Sequence, residues 1–168
     1  MYKNKGFTLI ESLVVLTIMT VTVVMGAPIL NQMQAKNRVK GAANELASAL
    51  KQGRSEALAQ RRNLRFVALS STWGSGWKVV NKVTAPTVAT TYLEQHALPI
   101  TIKISSTPVA TEFEFIAATG MLTKSDGTLT DVVFKVCDTG IDKGIDVSMS
   151  RLGRIALRNH TSSADCAL

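Results

Sequence analysis

The N-terminal part of the chain is dominated by an apolar run with almost no charge. Between Phe7 and Ala27 the only ionisable side chain is that of Glu11. As a helix this run would be about 31 Å long at about 1.5 Å per residue, which is enough to cross a bilayer. We therefore predict a transmembrane helix over residues 7–30. A carboxylate in such a helix costs a few kcal/mol or more, so Glu11 indicates a neutralising partner.

Beyond this run the apolar and small residues recur at the three-and-four spacing of a helix. They are Val39, Ala42, Ala43, Leu46, Ala49, Leu50, Gly53, Ala57 and Leu58. Most charged side chains lie off this stripe, which is typical of an amphipathic helix. The pattern predicts one helix from about Phe7 to Arg62, with its amphipathic half at 31–62. Pro28 lies at the junction and should kink or loosen the helix, because proline has no N–H to donate.

From Leu64 onward the pattern changes to the alternation of β-strands. The candidate strands cover residues 64–69, 78–80, 99–104, 112–116, 131–137, 145–149 and 154–157. Asp126-Gly127 marks a hairpin turn, and residues 84–91 are predicted to form a loop. Six or seven short antiparallel strands in a head of residues 63–168, packed on the amphipathic half of the helix, make an α+β fold.

A cleaved secretory signal is a second explanation of the apolar run, with Gly26-Ala27 as the cut. Signal cores are usually about 7–15 residues long, which is shorter than this run, and Glu11 has no place in one. A retained helix is therefore the prediction. Lys3 and Lys5 precede it, which puts the N-terminus in the cytoplasm and everything after Pro28 across the membrane.

The charge is basic, with 19 Lys and Arg against 12 Asp and Glu, or +7. Removal of a leader containing Lys3 and Lys5 would leave 17 against 12, or +5. A surplus of this size suits an anionic partner such as nucleic acid or a lipid surface. It fits equally well a basic domain whose charges are only solvated, so both explanations stay open.

The two cysteines, Cys137 and Cys166, are far apart in the sequence. The far side of the predicted membrane is oxidising, so a disulfide between them is the expected state. The bond would close a loop of about 30 residues and contribute about 3 kcal/mol in the chain-entropy model. A metal site would need more ligands than these two residues offer.

The sequence contains no pattern typical of an enzyme, a metal site or a cofactor site. His96 and His160 are the only histidines, and neither stands in a ligand or nucleophile motif. Trp73 and Trp77 flank a Gly-Ser-Gly turn, and their size favours a position in the core at the end of a sheet over a stacking platform. We predict a protein without catalytic activity and without a metal or cofactor.

The residues around the start of the apolar run resemble the processing site of type IV pilins and type II secretion pseudopilins. The matching residues are Gly6-Phe7-Thr8-Leu9-Ile10-Glu11, behind a short basic leader. The resemblance implies that a prepilin peptidase removes residues 1–6 by cutting after Gly6 and methylates the new amine of Phe7. It also implies that Glu11 pairs with the N-terminal amine of a neighbouring subunit. The protein would cross the inner membrane once, with its head in the periplasm, and then enter a cell-surface pilus.

The rest of the chain resembles the GspH/FimT/FimU group of minor pilins and minor pseudopilins, and FimU most of all. The shared features are an early hairpin with Trp, an Arg/Ser strand, a Gly-Arg pair and the late cysteines Cys137 and Cys166. The resemblance implies two antiparallel sheets against the helix. It favours a minor pilin that promotes assembly of a type IV pilus, in the filament or its priming complex. Its partners would be the prepilin peptidase, the major and other minor pilins and the inner-membrane assembly platform.

Two other functions follow from the same resemblance. FimT-like relatives that bind DNA in natural transformation carry a C-terminal Gly-Arg-x-Arg motif, which Gly153-Arg154-Ile155 fits until Ala156 replaces the second Arg. Arg158 shares a strand face with Arg154, about 13 Å away at about 3.3 Å per residue, and Arg151 is near in sequence. Non-specific DNA binding for uptake is therefore one alternative. A GspH-type pseudopilin of type II secretion is the other.

Overall fold

The computed structural model describes residues 7–81 and 89–160, and within these ranges it leaves out the side chains of residues 24–29, 142 and 160. The described part contains one long helix and nine strands. The elements are α1 (Leu9–Gln60), β1 (Leu64–Ala68), β2 (Trp77–Asn81), β3 (Thr91–Gln95), β4 (Ile102–Thr107), β5 (Glu112–Phe115), β6 (Leu122–Thr123), β7 (Val132–Asp138), β8 (Ile141–Met149) and β9 (Ile155–His160). Two single 3-10 turns, Leu69–Ser71 and Trp73–Ser75, join β1 to β2.

The chain divides into two compact units, Met1–Gln34 and Ala35–Leu168. The described part of the first unit is helical from Leu9 and exposes its apolar side chains. The second unit holds the rest of α1 and all nine strands, and its buried residues form one hydrophobic core. The predicted α+β fold with a long N-terminal helix and an antiparallel head is confirmed.

Nine strands pair into two antiparallel sheets, as the family resemblance implied. Sheet A has the order β3-β2-β1-β5-β6, and sheet B has the order β4-β7-β8-β9. In sheet B, Phe134 of β7 lies opposite Val147 of β8, which in turn lies opposite Leu157 of β9. Because side chains alternate along a strand, this register sends one face of the sheet inward and the other outward.

The C-terminal half of α1 packs on the sheets through small residues. Its buried side chains are Ala35, Val39, Ala42, Ala43, Leu46, Ala47, Ala49, Leu50 and Ala57. At Gly53 a Cβ atom would come within 2.8 Å of the Phe115 ring and 3.3 Å of Val79. A glycine and several alanines therefore allow the helix backbone to approach sheet A closely. The apolar stripe in the sequence predicted which residues face the head, but not how close the helix comes to the sheet.

An aromatic cluster fills the space between the two sheets. The Trp73 ring stacks on Phe66 with centroids 5.2 Å apart and meets Phe134 edge-on at 5.0 Å. Its indole N–H donates to the Ala110 carbonyl at 2.9 Å, which satisfies the one polar group of the ring. Trp73 and Trp77 are both buried, as predicted.

The number of strands was predicted too low. The pattern gave six or seven, and the structure has nine in the described residues because β3 and β6 were missed. Strand β3 lies at the edge of sheet A, where its side chains are only partly covered, so it shows no clear alternation. Strand β6 has two residues, which is too short for any periodic pattern. Most of the predicted loop over residues 84–91 lies outside the described residues.

Candidate functional site

The start of α1 is held by a capping residue that the sequence analysis did not identify. Thr8 precedes the helix, and its Oγ1 accepts the Glu11 backbone N–H at 3.3 Å. Thr8 and Glu11 have the spacing of a capping box. The carboxylate also lies in the first turn, where it complements the positive end of the helix dipole. Glu11 therefore stabilises the start of its own helix, and its pairing with the amine of a neighbouring subunit stays a prediction.

The side chains around Glu11 are apolar and open to the surroundings. Phe7 is 79 % exposed, and Leu9, Ile10, Leu13, Val14, Val15, Leu16, Ile18, Met19, Val21 and Val23 are exposed as well. Glu11 is exposed among them. A contiguous apolar surface of this kind marks a site of membrane or protein contact.

The predicted span over residues 7–30 is only partly described by the structure. Within the helical residues that the structure describes, no stretch reaches the length and hydropathy of a membrane-crossing helix. The side chains at 24–29 are outside the description, and they include Pro28. Helix α1 is assigned without interruption across these positions. The transmembrane span and the kink at Pro28 stay predictions, and Gly6 lies outside the described residues.

A tight turn between β8 and β9 contains three of the four predicted DNA-binding residues, Arg151, Gly153 and Arg154, and the fourth, Arg158, lies on β9. The Gly153 N–H donates to the Ser150 carbonyl at 2.7 Å, and the Arg154 N–H donates to Ser150 Oγ at 3.1 Å. Gly153 has φ of 84°, in the left-handed region that glycine favours. The Gly-Arg pair thus has a structural role, since it closes the connection between β8 and β9.

Arg54 on α1 holds this turn in place, although no motif in the sequence had marked Arg54 as a candidate site residue. Its Nη1 donates to the Gly153 carbonyl at 3.3 Å, and its Nε donates to the Gly120 carbonyl at 3.2 Å. A Cβ atom on Gly153 would overlap the Arg54 guanidinium. Arg54 therefore ties α1 to a turn of sheet A and a turn of sheet B at once. We name this contact the Arg54 clamp.

The three arginines of the turn and of β9 are exposed, but acidic groups lie among them. Arg151, Arg154 and Arg158 all face solvent. The Asp131 carboxylate accepts the Arg151 backbone N–H at 2.6 Å. In the sheet register Asp146 lies between Lys135 and Arg158, on the same row and therefore on the same face. The structure thus brings the predicted basic residues to one hairpin and offsets part of their charge.

A second clamp joins α1 to the other end of sheet B. The Asp138 side chain is fully buried, and Arg38 Nε donates to its Oδ2 at 2.9 Å. Thr101 Oγ1 donates to the same oxygen at 3.1 Å, and the Gly140 N–H donates to Oδ1 at 2.8 Å. Burial raises the pKa of Asp138, but these hydrogen bonds together outweigh it and hold the pKa below its ordinary value. We name this contact the Arg38 clamp.

The remaining predicted residues are not among those that form the two clamps. Cys137 is buried on β7, and Cys166 lies outside the described residues, so the disulfide stays a prediction. His96 is exposed beside Glu94, with 3.9 Å between Nε2 and the carboxylate. In the described part of the chain, no group of three or more His, Cys, Asp or Glu residues is placed to hold a metal ion.

Comparison with known protein families gives two matches that together span most of the chain. The profile of the prokaryotic N-terminal methylation motif matches residues 1–27. The profile of the family described as type II transport protein GspH matches residues 42–153, which includes most of the buried core and the turns that both clamps hold. The chain belongs to the GspH family. The match to the methylation motif covers the residues from which pilin-type processing was predicted.

Solved structures of two related proteins share the fold of this GspH-family chain. The type IV minor pilin FimU of Pseudomonas aeruginosa is 27% identical, with a TM-score of 0.63 over 78% of this chain and 98% of that chain. A second crystal form of FimU gives 28% identity and a TM-score of 0.59. The minor pseudopilin EpsH of the Vibrio cholerae type 2 secretion system is 13% identical, with a TM-score of 0.56 over 72% of this chain and 96% of that chain, which shows the fold alone. A search of curated protein sequences found no match.

These comparisons confirm the predicted class. The protein is a minor pilin or minor pseudopilin, of the type IV pilus or type II secretion type. Proteins of this family are structural components, not enzymes, and they work with other pilins and with assembly machinery. They are anchored in the membrane before they join the filament.

Proposed function

We propose that this protein is a minor pilin of a type IV pilus, incorporated into the filament or into the priming complex that starts it. The observation that supports the proposal is the exposed apolar surface from Phe7 to Val23 with one carboxylate, Glu11, in its first turn. The similarity to FimU over 98% of that chain favours the pilus over the secretion system.

In the proposed mechanism the prepilin peptidase cuts after Gly6 and methylates the amine of Phe7. The exposed apolar side chains then replace lipid contacts with contacts to the helices of neighbouring subunits. Glu11 neutralises the N-terminal amine of the next subunit, which fixes the axial register between the two helices. The N-terminal helix would cross the inner membrane once, and the head would fold in the periplasm with a Cys137–Cys166 disulfide. The protein would then reach the cell surface as part of the pilus.

The decisive experiment replaces the carboxylate in cells that make pili. Glu11→Val should reduce recovery of the protein in sheared pili at least tenfold, because an uncompensated amine would then lie in an apolar helix bundle. Ser12→Val is the matched control, since it changes an adjacent exposed polar residue of the same turn without removing a charge. Wild-type recovery of Glu11→Val would overturn the role of the ion pair.

Processing is tested separately. A large residue in place of Gly6, such as Gly6→Leu, should block cleavage and leave the leader attached, which intact-mass spectrometry detects. Gly6→Ala should have a milder effect. Normal cleavage of Gly6→Leu would contradict the assignment of the cut, whatever the fate of the Glu11 variant.

A GspH-type pseudopilin of type II secretion is the alternative with the same architecture. Deletion of the gene distinguishes the two functions. Loss of surface pili with normal protein export supports the pilus assignment, and loss of export with normal pili supports the secretion assignment. The identity of the neighbouring genes provides the same distinction without an experiment.

DNA binding for uptake is a second candidate function, supported by the exposure of Arg151, Arg154 and Arg158 on one hairpin. A gel-shift of duplex DNA with the full-length protein in detergent, over a salt series, tests it. Binding should weaken steeply as salt rises, and Arg154→Ala with Arg158→Ala should weaken it without sequence preference. Arg62→Ala, at an exposed arginine outside the hairpin, is the control. Absence of a shift at low salt would dismiss this function.

A further inference from the structure

A groove between α1 and sheet B is not used by either clamp. Its volume is about 530 Å³, and it is lined by Lys36, Val39 and Lys40 of α1 and by Lys143, Ile145 and Asn159 of sheet B, among others. Clefts of about 300–1,000 Å³ are the usual size for binding sites in proteins. All of these residues belong to the compact unit Ala35–Leu168. We name this feature the lysine groove.

The positions of the lysines follow from helix and strand geometry. Lys36 and Lys40 are four residues apart, so they lie on the same face of α1 as successive turns. Lys143 and Ile145 both belong to β8, and both line the groove. Ile145 lies directly opposite Asn159 in the sheet register. Three cations thus line the groove from two elements, above a floor made by Val39 and Ile145.

The charge of the groove is open to a ligand. Lys36, Lys40 and Lys143 are exposed, and none of the three forms an ion pair with any side chain that the structure describes. None of the described lining residues is acidic or aromatic. The nearby Arg38 is already committed to Asp138, so it does not add to the groove. Among the described side chains, the groove therefore offers positive charge without an acidic residue in its lining.

The composition of the described lining favours a polypeptide over single-stranded nucleic acid. Single-stranded nucleic acid is bound on aromatic side chains that stack its bases, and this lining has none. Alternating lysines and aliphatic side chains instead match a segment in which carboxylates alternate with apolar residues. Cys137 lies on β7 opposite Gly144, so its side chain is on the face of sheet B opposite to that of Ile145. The predicted disulfide would therefore hold the C-terminal tail on the face of the sheet away from Ile145.

We propose that the lysine groove binds an acidic segment of a neighbouring pilin subunit. The partner rests on the proposed function, which supplies other pilins packed along α1. The groove would then act as a docking site on the head, separate from the contact of Glu11 in the first turn of the helix. Carboxylates of the partner pair with the three lysines, and its apolar side chains cover Val39 and Ile145.

Photo-crosslinking in cells tests the proposal with the complete protein. Asn159→p-benzoylphenylalanine places the probe at the rim of the groove and keeps all three lysines. Irradiation should join it to another pilin, and mass spectrometry should find Asp or Glu in the joined peptide. Reversing the groove charges with Lys36→Glu, Lys40→Glu and Lys143→Glu should lower the crosslink yield at least tenfold. Exchange of the identified acidic residues for lysine should restore it.

A matched control reverses three exposed basic residues outside the groove, Lys51→Glu, Arg62→Glu and Lys103→Glu. This variant should keep the yield within twofold of wild type, because only the groove charges are in contact with the partner. Far- and near-UV circular dichroism of both triple variants establishes that they are folded. Equal loss of crosslinking in the two triples would overturn the groove as the site.

Other crosslinked products would also overturn the proposal. These are nucleic acid, phospholipid, residues 161–168 of the same chain, or a partner segment without acidic residues. The result separates the groove from the proposed function. If the protein enters sheared pili but gives no pilin crosslink, the groove proposal fails and the pilus function stands. If the crosslink joins an acidic segment of a pseudopilin of a secretion system, the pilus function fails and the groove proposal stands.

Discussion

The apolar residues in the first part of α1 are exposed, whereas those in its second part are buried. From Phe7 to Val23 large aliphatic side chains are exposed, and Leu16 is 62 % open. From Ala35 to Ala57 the apolar residues are mostly small and almost fully buried, and Leu46 has no exposed surface. The first part therefore depends on contacts from outside the chain, and the second part is satisfied by the sheets of its own head.

The first part of the helix is therefore expected to serve assembly, and the second part to serve folding of the head. Substitutions in the first part should change how the protein associates, and substitutions in the second part should change whether the head folds. The size of the side chains reflects the same division. Alanine and Gly53 let a backbone approach a sheet, whereas leucine, isoleucine and valine offer area to lipid or to other helices.

The largest expected effect compares the same substitution at the two parts. Leu46→Ala should lower the free energy of unfolding of the head by about 2–5 kcal/mol, because it removes buried methyl groups and leaves a cavity. Leu16→Ala should change it by less than about 0.5 kcal/mol. Denaturation of the full-length protein in detergent, followed by the near-UV signal of Trp73 and Trp77, measures both. Equal losses would show that the two parts fold as one unit.

A smaller effect is expected at the Arg38 clamp. Arg38→Ala leaves the buried Asp138 carboxylate without its cation and should cost about 2 kcal/mol. The figure is below the 3–5 kcal/mol typical of a fully buried pair, since the Arg38 side chain is 37% exposed. Lys51→Ala, an exposed cation on the same helix, is the control and should be neutral. If the two variants are equally stable, the clamp does not join helix to sheet.

The Arg54 clamp is tested by two glycines with nearly the same backbone angle. Gly153 has φ of 84° and Gly127 has φ of 83°, but only a Cβ on Gly153 would meet Arg54. Both alanine variants carry the backbone strain of about 1 kcal/mol. Gly153→Ala should cost at least about 1 kcal/mol more, measured by the same denaturation. That excess should shrink in an Arg54→Ala background, as a double-mutant cycle would show.

The smallest effect is the acid sensitivity of the head. The folded-state pKa of Asp138 is lowered, so its contribution to stability is present above the ordinary aspartate pKa near 3.8 and is lost as pH falls through the folded value. The melting temperature of wild type should therefore fall more steeply below about pH 4 than that of Asp138→Asn. A parallel fall in the two proteins would assign the acid sensitivity to other groups.

Much of the fold could be predicted because helices and strands leave local patterns of apolar and polar residues in the sequence. The apolar run and the three-and-four spacing after it together placed the long helix within two residues of its observed ends, Leu9 and Gln60. Alternation found most strands of the head. Strand β3 was not predicted because an edge strand has no fully covered face. Strand β6 was not predicted because two residues are too few to show a periodic pattern.

The sequence by itself determined the class of protein, through the motif from Gly6 to Glu11 and the change in pattern along α1. Only the tertiary structure decided what the polar residues do. Arg54 reaches a carbonyl 99 positions away, and Arg38 reaches a carboxylate 100 positions away. Such contacts depend on the register of sheet B against the helix, which no periodicity of one segment encodes. The lysine groove arises for the same reason, since Lys40 and Lys143 line one groove only when the helix is packed on sheet B.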